Sequence, residues 1–163
     1  HERDRRPGTE NVPGIVGFGK AAELVEINRD ADAAGIEMLR DRLEETLMST
    51  LPSVRVNGKR SRRVANTTNL VFGGAGGEAL VIALDLQGIS CATGAACSSG
   101  AVEPSHVLLA IGLSGDEARS SLRFSLGRGT TSDEIDRATA IIPPTVERLR
   151  ALSPRALSTV HIR

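Results

Sequence analysis

The chain of 163 residues has no tryptophan and no tyrosine, and its aromatic content is Phe18, Phe72 and Phe124. A ligand pocket built purely on aromatic stacking is therefore not expected. Cysteine occurs twice, as Cys91 and Cys97, and the three histidines are scattered. Neither the number nor the spacing suits a disulfide framework or a zinc knuckle, so no metal site is expected. Twenty basic and twenty acidic side chains cancel, which leaves no overall field to draw in nucleic acid or an anionic membrane. No apolar run approaches the ~20 residues of a membrane span, and the charged stretch His1 to Arg6 is the opposite of a secretory signal. These absences together read as a soluble, cytoplasmic protein with neither nucleic acid nor membrane among its partners.

What remains is a chain with 40% hydrophobic residues, enough for one compact domain with a real core. It begins without methionine in a charged stretch, which reads as a processed or truncated product. From Val12 to about Ser49 the apolar residues recur at helical spacing: Ile15, Phe18, Ala22 and Val25, continued by Ile36, Leu39, Leu43 and Leu47. The polar run Asn28 to Asp32 followed by Gly35 marks either a bend or the solvent-facing part of this helix. Val54 to Val56, the tight-turn pair Asn57-Gly58 and Asn69 to Phe72 read as a hairpin, its tip basic with Lys59, Arg60, Arg62 and Arg63. Such a charge run is usually solvated.

Gly73 to Gly77 is a turn without the Gly-Lys-Ser/Thr ending of a phosphate loop. A short helix over Glu78 to Leu84 ends near Gly88, a third strand covers Ile89 to Thr93, and a helix opens at Pro104. In the fourth strand, Ser121 to Leu126, period-two alternation sets Arg123 on the face opposite Leu122 and Phe124. The last helix starts at Thr131, which has capping-box spacing to Glu134, and breaks or restarts at Pro143-Pro144. The expected fold is α+β: a two-layer sandwich of a small, mainly antiparallel sheet with helices.

The candidate for chemistry is Gly94-Ala95-Ala96-Cys97-Ser98-Ser99-Gly100, where a lone thiol sits among side chains too small to bury it. A working cysteine needs access to solvent and a partner, whereas a structural one is packed and inert. The local pattern alone does not separate a nucleophile from an ordinary turn. Cys91, in the third strand, reads as a packed core thiol, and His106 and His161 as a helix-surface and a tail residue.

Segments along the chain, in order, resemble the cysteine desulfurases, pyridoxal-phosphate enzymes of the class-V aminotransferase type. His1 to Asn11, with Gly8-Thr9, resembles the family's glycine-threonine motif ahead of the helix leading into the small domain. Ser90 to Gly100 resembles the active-site cysteine loop. Glu103-Pro104-Ser105-His106 and Ser120 to Arg128 resemble the segments that follow it. The resemblance implies the C-terminal small domain of a fold-type I pyridoxal-phosphate enzyme, with residues 1–11 the tail of the large cofactor domain and residues 12–163 the small domain.

It further implies that Cys97 attacks the sulfur of L-cysteine and becomes a persulfide, giving alanine, and that Arg123 pairs with the substrate carboxylate. Thr9 would reach the phosphate of pyridoxal 5'-phosphate held by the other subunit of a homodimer. A scaffold or other sulfur-acceptor protein, in iron-sulfur cluster assembly or thiolation, would take the sulfur. Ala95 stands where relatives often have serine. Neither Lys20 nor Lys59 lies in the family's cofactor-lysine motif, so the chain alone is expected to be inactive. The alternatives are a free-standing persulfide carrier and a non-catalytic dimerisation module.

Overall fold

A computed structural model describes residues 8–58, 63–93 and 104–152. The chain divides into two compact units, His1–Ala33 and Ala34–Arg163. In the first, Asn11 starts the long helix α1 (Val12–Thr50): its Oδ1 accepts from the Gly14 N–H at 3.1 Å, satisfying one of the amides a helix start leaves open. Ile15, Phe18 and Val25 fall on a helix as expected but are 62%, 78% and 56% exposed. Arg29, Asp30 and Ala31 are exposed within continuous helix, so the polar run is the solvent-facing part and not a break.

The second unit holds a four-stranded sheet, with β1 (Val54–Val56), β2 (Thr67–Phe72), β3 (Ala92–Thr93) and β4 (Ser121–Ser125) in the order β1-β2-β4-β3. Every neighbouring pair is antiparallel. The helices are α2 (Gly77–Asp85), α3 (His106–Ala110), α4 (Gly115–Arg119) and α5 (Ser132–Leu152). Alternation along β2 and β4 sends Leu70, Phe72, Leu122 and Phe124 into one core. They join Leu43 and Leu47 of α1, Leu80 and Leu84 of α2, and Ile135, Ile142 and Val146 of α5. Phe72 and Phe124 meet edge to face with ring centroids 6.4 Å apart. The expected two-layer α+β arrangement is present. The opposite face of the sheet carries Arg55, Asn69, Ser121 and Arg123, and the short α3 and α4 share a small cluster of their own, Leu108, Leu113 and Ala118.

Four local expectations change. The third strand begins at Ala92, not Ile89. The Ile89 N–H closes the end of α2 by donating to the Leu84 carbonyl at 3.0 Å, with Gly88 at φ +77° making the left-handed exit. The second strand of the hairpin begins at Thr67, two residues before the expected Asn69, and the β1–β2 ladder ends with Asn57 N–H donating to Asn69 O at 2.8 Å.

Pro143 and Pro144 lie inside an unbroken α5, because Ile142 and Val146, both fully buried, tie the turns on either side to the same core. The start of that helix is as expected. Thr131 N–H donates to Glu134 Oε2 at 2.8 Å, and Glu134 N–H donates to Thr131 Oγ1 at 3.3 Å. Arg63, finally, turns inward. It pairs with the fully buried Glu44 of α1 and donates to Thr67 O at 3.2 Å, while buried Arg40 donates to Val64 O and Ala65 O at 3.0 and 3.1 Å. Lys59, Arg60, Arg62 and His161 lie outside the described residues.

The start of α2 passes so close to the end of α4 that a Cβ on Gly77 would stand 2.4 Å from the Arg119 carbonyl oxygen, a backbone atom that cannot step aside. Gly77→Ala is expected to cost about 2 kcal/mol of stability by overpacking. Thermal melting checks it, and an unchanged midpoint would show that the two segments can separate freely.

Candidate functional site

Arg123 occupies the middle of β4, paired with Asn69 of β2 on one side and Ala92 of β3 on the other. Directly paired residues project from the same face, so the Asn69 and Arg123 side chains rise together about 5 Å apart at their Cβ atoms. They line a cleft of about 400 Å³. Asn57 and Ser105 add polar edges, and Val107, Leu108 and Ile111 form an apolar wall. Arg123 is exposed, and among the described residues no hydrogen bond or ion pair holds its guanidinium. A planar cation open to a small half-apolar cleft suits a carboxylate carried on a short side chain.

Behind Arg123 runs a polar network that sequence reading did not find. Arg55 Nη1 donates to Asn57 Oδ1 at 3.3 Å. Asn57 Nδ2 donates to Asn69 Oδ1 at 2.6 Å and to Ser121 Oγ at 2.9 Å, and Ser121 Oγ donates to the Glu117 carbonyl at 2.7 Å. Arg55 is held in turn by the Glu117 carboxylate. Glu117 also closes a capping box with Ser114 at the start of α4. The Ser114-x-x-Glu117 spacing was the available signal for this five-residue helix. Nothing local signals the asparagine contacts, because the partners lie 12 and 64 residues apart in the chain.

Cys97 lies outside the described residues. Its segment leaves β3 at Thr93, which pairs with Leu122 beside Arg123, and the described chain resumes at Pro104 before Ser105 on the rim of the cleft. Thr9 is exposed in the first unit, ahead of α1. His106 is exposed at the start of α3, as expected. Cys91 packs against the core, and burial, with Asp85 nearby, pushes its thiol up to about 11 from 9.0. It is a poor nucleophile at neutral pH. Among the described residues no group of three or more His, Cys, Asp or Glu side chains could hold a metal, and no helix is long and apolar enough to cross a membrane.

The family model of the class-V aminotransferases matches residues 2–138. The chain belongs to this family. Among its class-V aminotransferase relatives, the cysteine desulfurase of Nostoc sp. is 52% identical over 153 residues, covering 94% of this chain and 38% of the relative. The cysteine desulfurase IscS of Methanosarcina thermophila is 46% identical over the same shares. The crystal structure of a NifS-like protein from Rickettsia africae superposes with a TM-score of 0.75 at 31% identity, over 90% of this chain and 38% of that one. The chain thus spans 38% of the length of these relatives.

Class-V aminotransferases of this kind depend on pyridoxal phosphate. The described residues do not fit the aldehyde of that group: Lys20, the lysine among them, is paired with Glu23 at 2.8 Å on exposed helix surface. No step is assigned to the cofactor within this chain.

Two expectations follow from the titrating groups. In a Cys97→Ser variant the remaining thiol, Cys91, should hold roughly a hundredfold less thiolate at pH 8 than an unshifted one and react with iodoacetamide correspondingly slowly. Mass spectrometry of the alkylated protein measures this, and a free-thiol rate would contradict the burial. Glu117 is held down to about 2 from 4.5, first by the Ser114 N–H, then by Arg55 and the Ser114 hydroxyl. Its folded value is depressed, so its stabilisation is present above about pH 4.5 and lost as pH falls towards 2. Melting curves of wild type and Glu117→Gln should therefore differ at pH 5 and converge near pH 2. A gap independent of pH would refute the charged cap.

Proposed function

We propose that this chain is the sulfur-accepting portion of a cysteine desulfurase, residues 12–163 forming its small domain and residues 1–11 the end of its cofactor domain. The observation that carries this reading is the strand-borne Arg123, whose guanidinium no hydrogen bond or ion pair holds among the described residues, on the strand that pairs with β3 just before the Cys97 segment. Arg123 takes the carboxylate of L-cysteine through two parallel hydrogen bonds, and the apolar wall accepts the short methylene. Thr93, the last residue of β3, is four residues before Cys97 in the chain. The Cys97 thiolate forms a bond to the substrate sulfur as the carbon–sulfur bond breaks. With the electron sink that pyridoxal phosphate would supply when bound, the electron pair is left to the carbon, a proton completes the methyl group of alanine, and the enzyme is left as the persulfide.

Thr9 is exposed and offers a hydroxyl to the phosphate of a cofactor held by the other subunit of a homodimer. Neither Lys20 nor Lys59 lies in the family's cofactor-lysine motif, so the chain alone is inactive. An acceptor protein, for cluster assembly or thiolation, collects the sulfur in the cytoplasm.

The test uses a polypeptide of the relatives' full length that carries this chain. Cys97→Ala should abolish alanine formation from cysteine, and full desulfuration in that variant would sink the assignment. Arg123→Lys keeps the charge but loses the paired geometry. It should raise KM for cysteine by roughly tenfold or more and lower kcat as the sulfur drifts out of line with Cys97. Wild-type kinetics in a folded Arg123→Lys enzyme would place the carboxylate elsewhere.

A further inference from the structure

Asparagine side chains can turn either end of the amide outward, and what decides is the chemistry of their neighbours. In this network both ends are polarised. Arg55 can only donate, so Asn57 must present Oδ1 to it, as the contact at 3.3 Å shows. The Glu117 carbonyl can only accept, so the Ser121 hydroxyl donates to it at 2.7 Å and in turn accepts from Asn57 Nδ2 at 2.9 Å. With the Asn57 amide fixed twice, Asn69 has one choice. It must offer Oδ1 to Asn57 Nδ2 at 2.6 Å, which leaves its own Nδ2 on the other side. Among the described residues, that NH₂ donates to no protein acceptor.

Asn69 lines the cleft and is paired across the ladder with Arg123. We infer that Asn69 Nδ2 is a second donor to the anion that Arg123 binds, with Asn57 acting as the positioning residue that keeps the donor end of the amide turned to the cleft. The ligand class is a small carboxylate, and the inference rests on the assignment of Arg123 to the substrate carboxylate. One oxygen is gripped by the guanidinium alone and the other is shared with the amide. The carboxylate plane is then set by two strands instead of one flexible side chain. This also explains why a short, uncharged asparagine, unable to compete with a carboxylate for the arginine, stands directly opposite Arg123.

The experiment compares competitive inhibition by L-alanine and by L-alaninamide in the same full-length polypeptide, for wild type, Asn69→Ala, Asn69→Ser and Arg123→Gln. The amide keeps size and amino group but lacks the anion. Losing one hydrogen bond to a charged group should raise KM for cysteine, and the inhibition constant of L-alanine, by roughly ten- to hundredfold in Asn69→Ala. The inhibition constant of L-alaninamide should barely move. A merely structural role for Asn69 would weaken both ligands equally, and that outcome overturns the inference. Asn69→Ser keeps a polar group for Asn57 and reports the same ratio if the alanine variant fails to fold. Arg123→Gln, which removes the charge, separates the two claims. If it leaves the alanine-to-alaninamide preference intact, the assignment of Arg123 fails. If it collapses the preference and neither Asn69 variant does, only the role of Asn69 fails.

Discussion

The antiparallel pairing of β2 with β4 sets both faces of the sheet at once. The register that puts Leu70 against Leu122 and Thr68 against Phe124 on the core side also puts Asn69 against Arg123 on the cleft side. A slip of one residue would carry Arg123 into the core and Leu122 or Phe124 into the cleft. Leu70 and Leu122 are fully buried and Phe124 nearly so, so such a slip would expose several large side chains, each worth roughly 1.5–3 kcal/mol of burial. The position of the candidate carboxylate site is thus enforced by the hydrophobic core behind it. The site needs no stability of its own, and among the described residues no hydrogen bond or ion pair holds Arg123.

The entrance to β2 is held by a different force. Glu44 is fully buried on α1, and an unpaired carboxylate there would carry a large desolvation cost. Arg63 approaches it from the segment before β2, and Arg40 gathers the Val64 and Ala65 carbonyls from the same helix. Removing any one partner strands the others, so α1 and the start of β2 are tied as a unit. Leu43 and Leu47 flank Glu44 on the buried face of the helix, which joins this ionic anchor to the core. The beginning of β2, and with it the height at which Asn69 stands beside Arg123, is fixed from the helical layer.

Much of this was legible in the chain because it follows local periodicity. The alternation in Ser121 to Leu126 announced which way Arg123 points, and the Thr131–Glu134 spacing announced the start of α5. The misreadings share a cause: tertiary burial overriding a local signal. Pro143 and Pro144 read as a break, but the buried residues on either side hold the helix through them. Arg63 read as a solvated charge, because its partner lies 19 residues earlier on α1. Asn57 read as turn chemistry, yet its backbone closes the β1–β2 ladder while its side chain is only 6% exposed and bonded inward.

A site built this way divides its labour between elements with different tolerances. Arg123 and Asn69 stand on central strands whose backbone cannot shift without disturbing the core. The Cys97 segment is flanked by Gly94 and Gly100, and it joins a two-residue edge strand to a five-residue helix. Neither flanking element has the core burial of β2 and β4. The sequence places its glycines around the cysteine and its core leucines around the arginine accordingly.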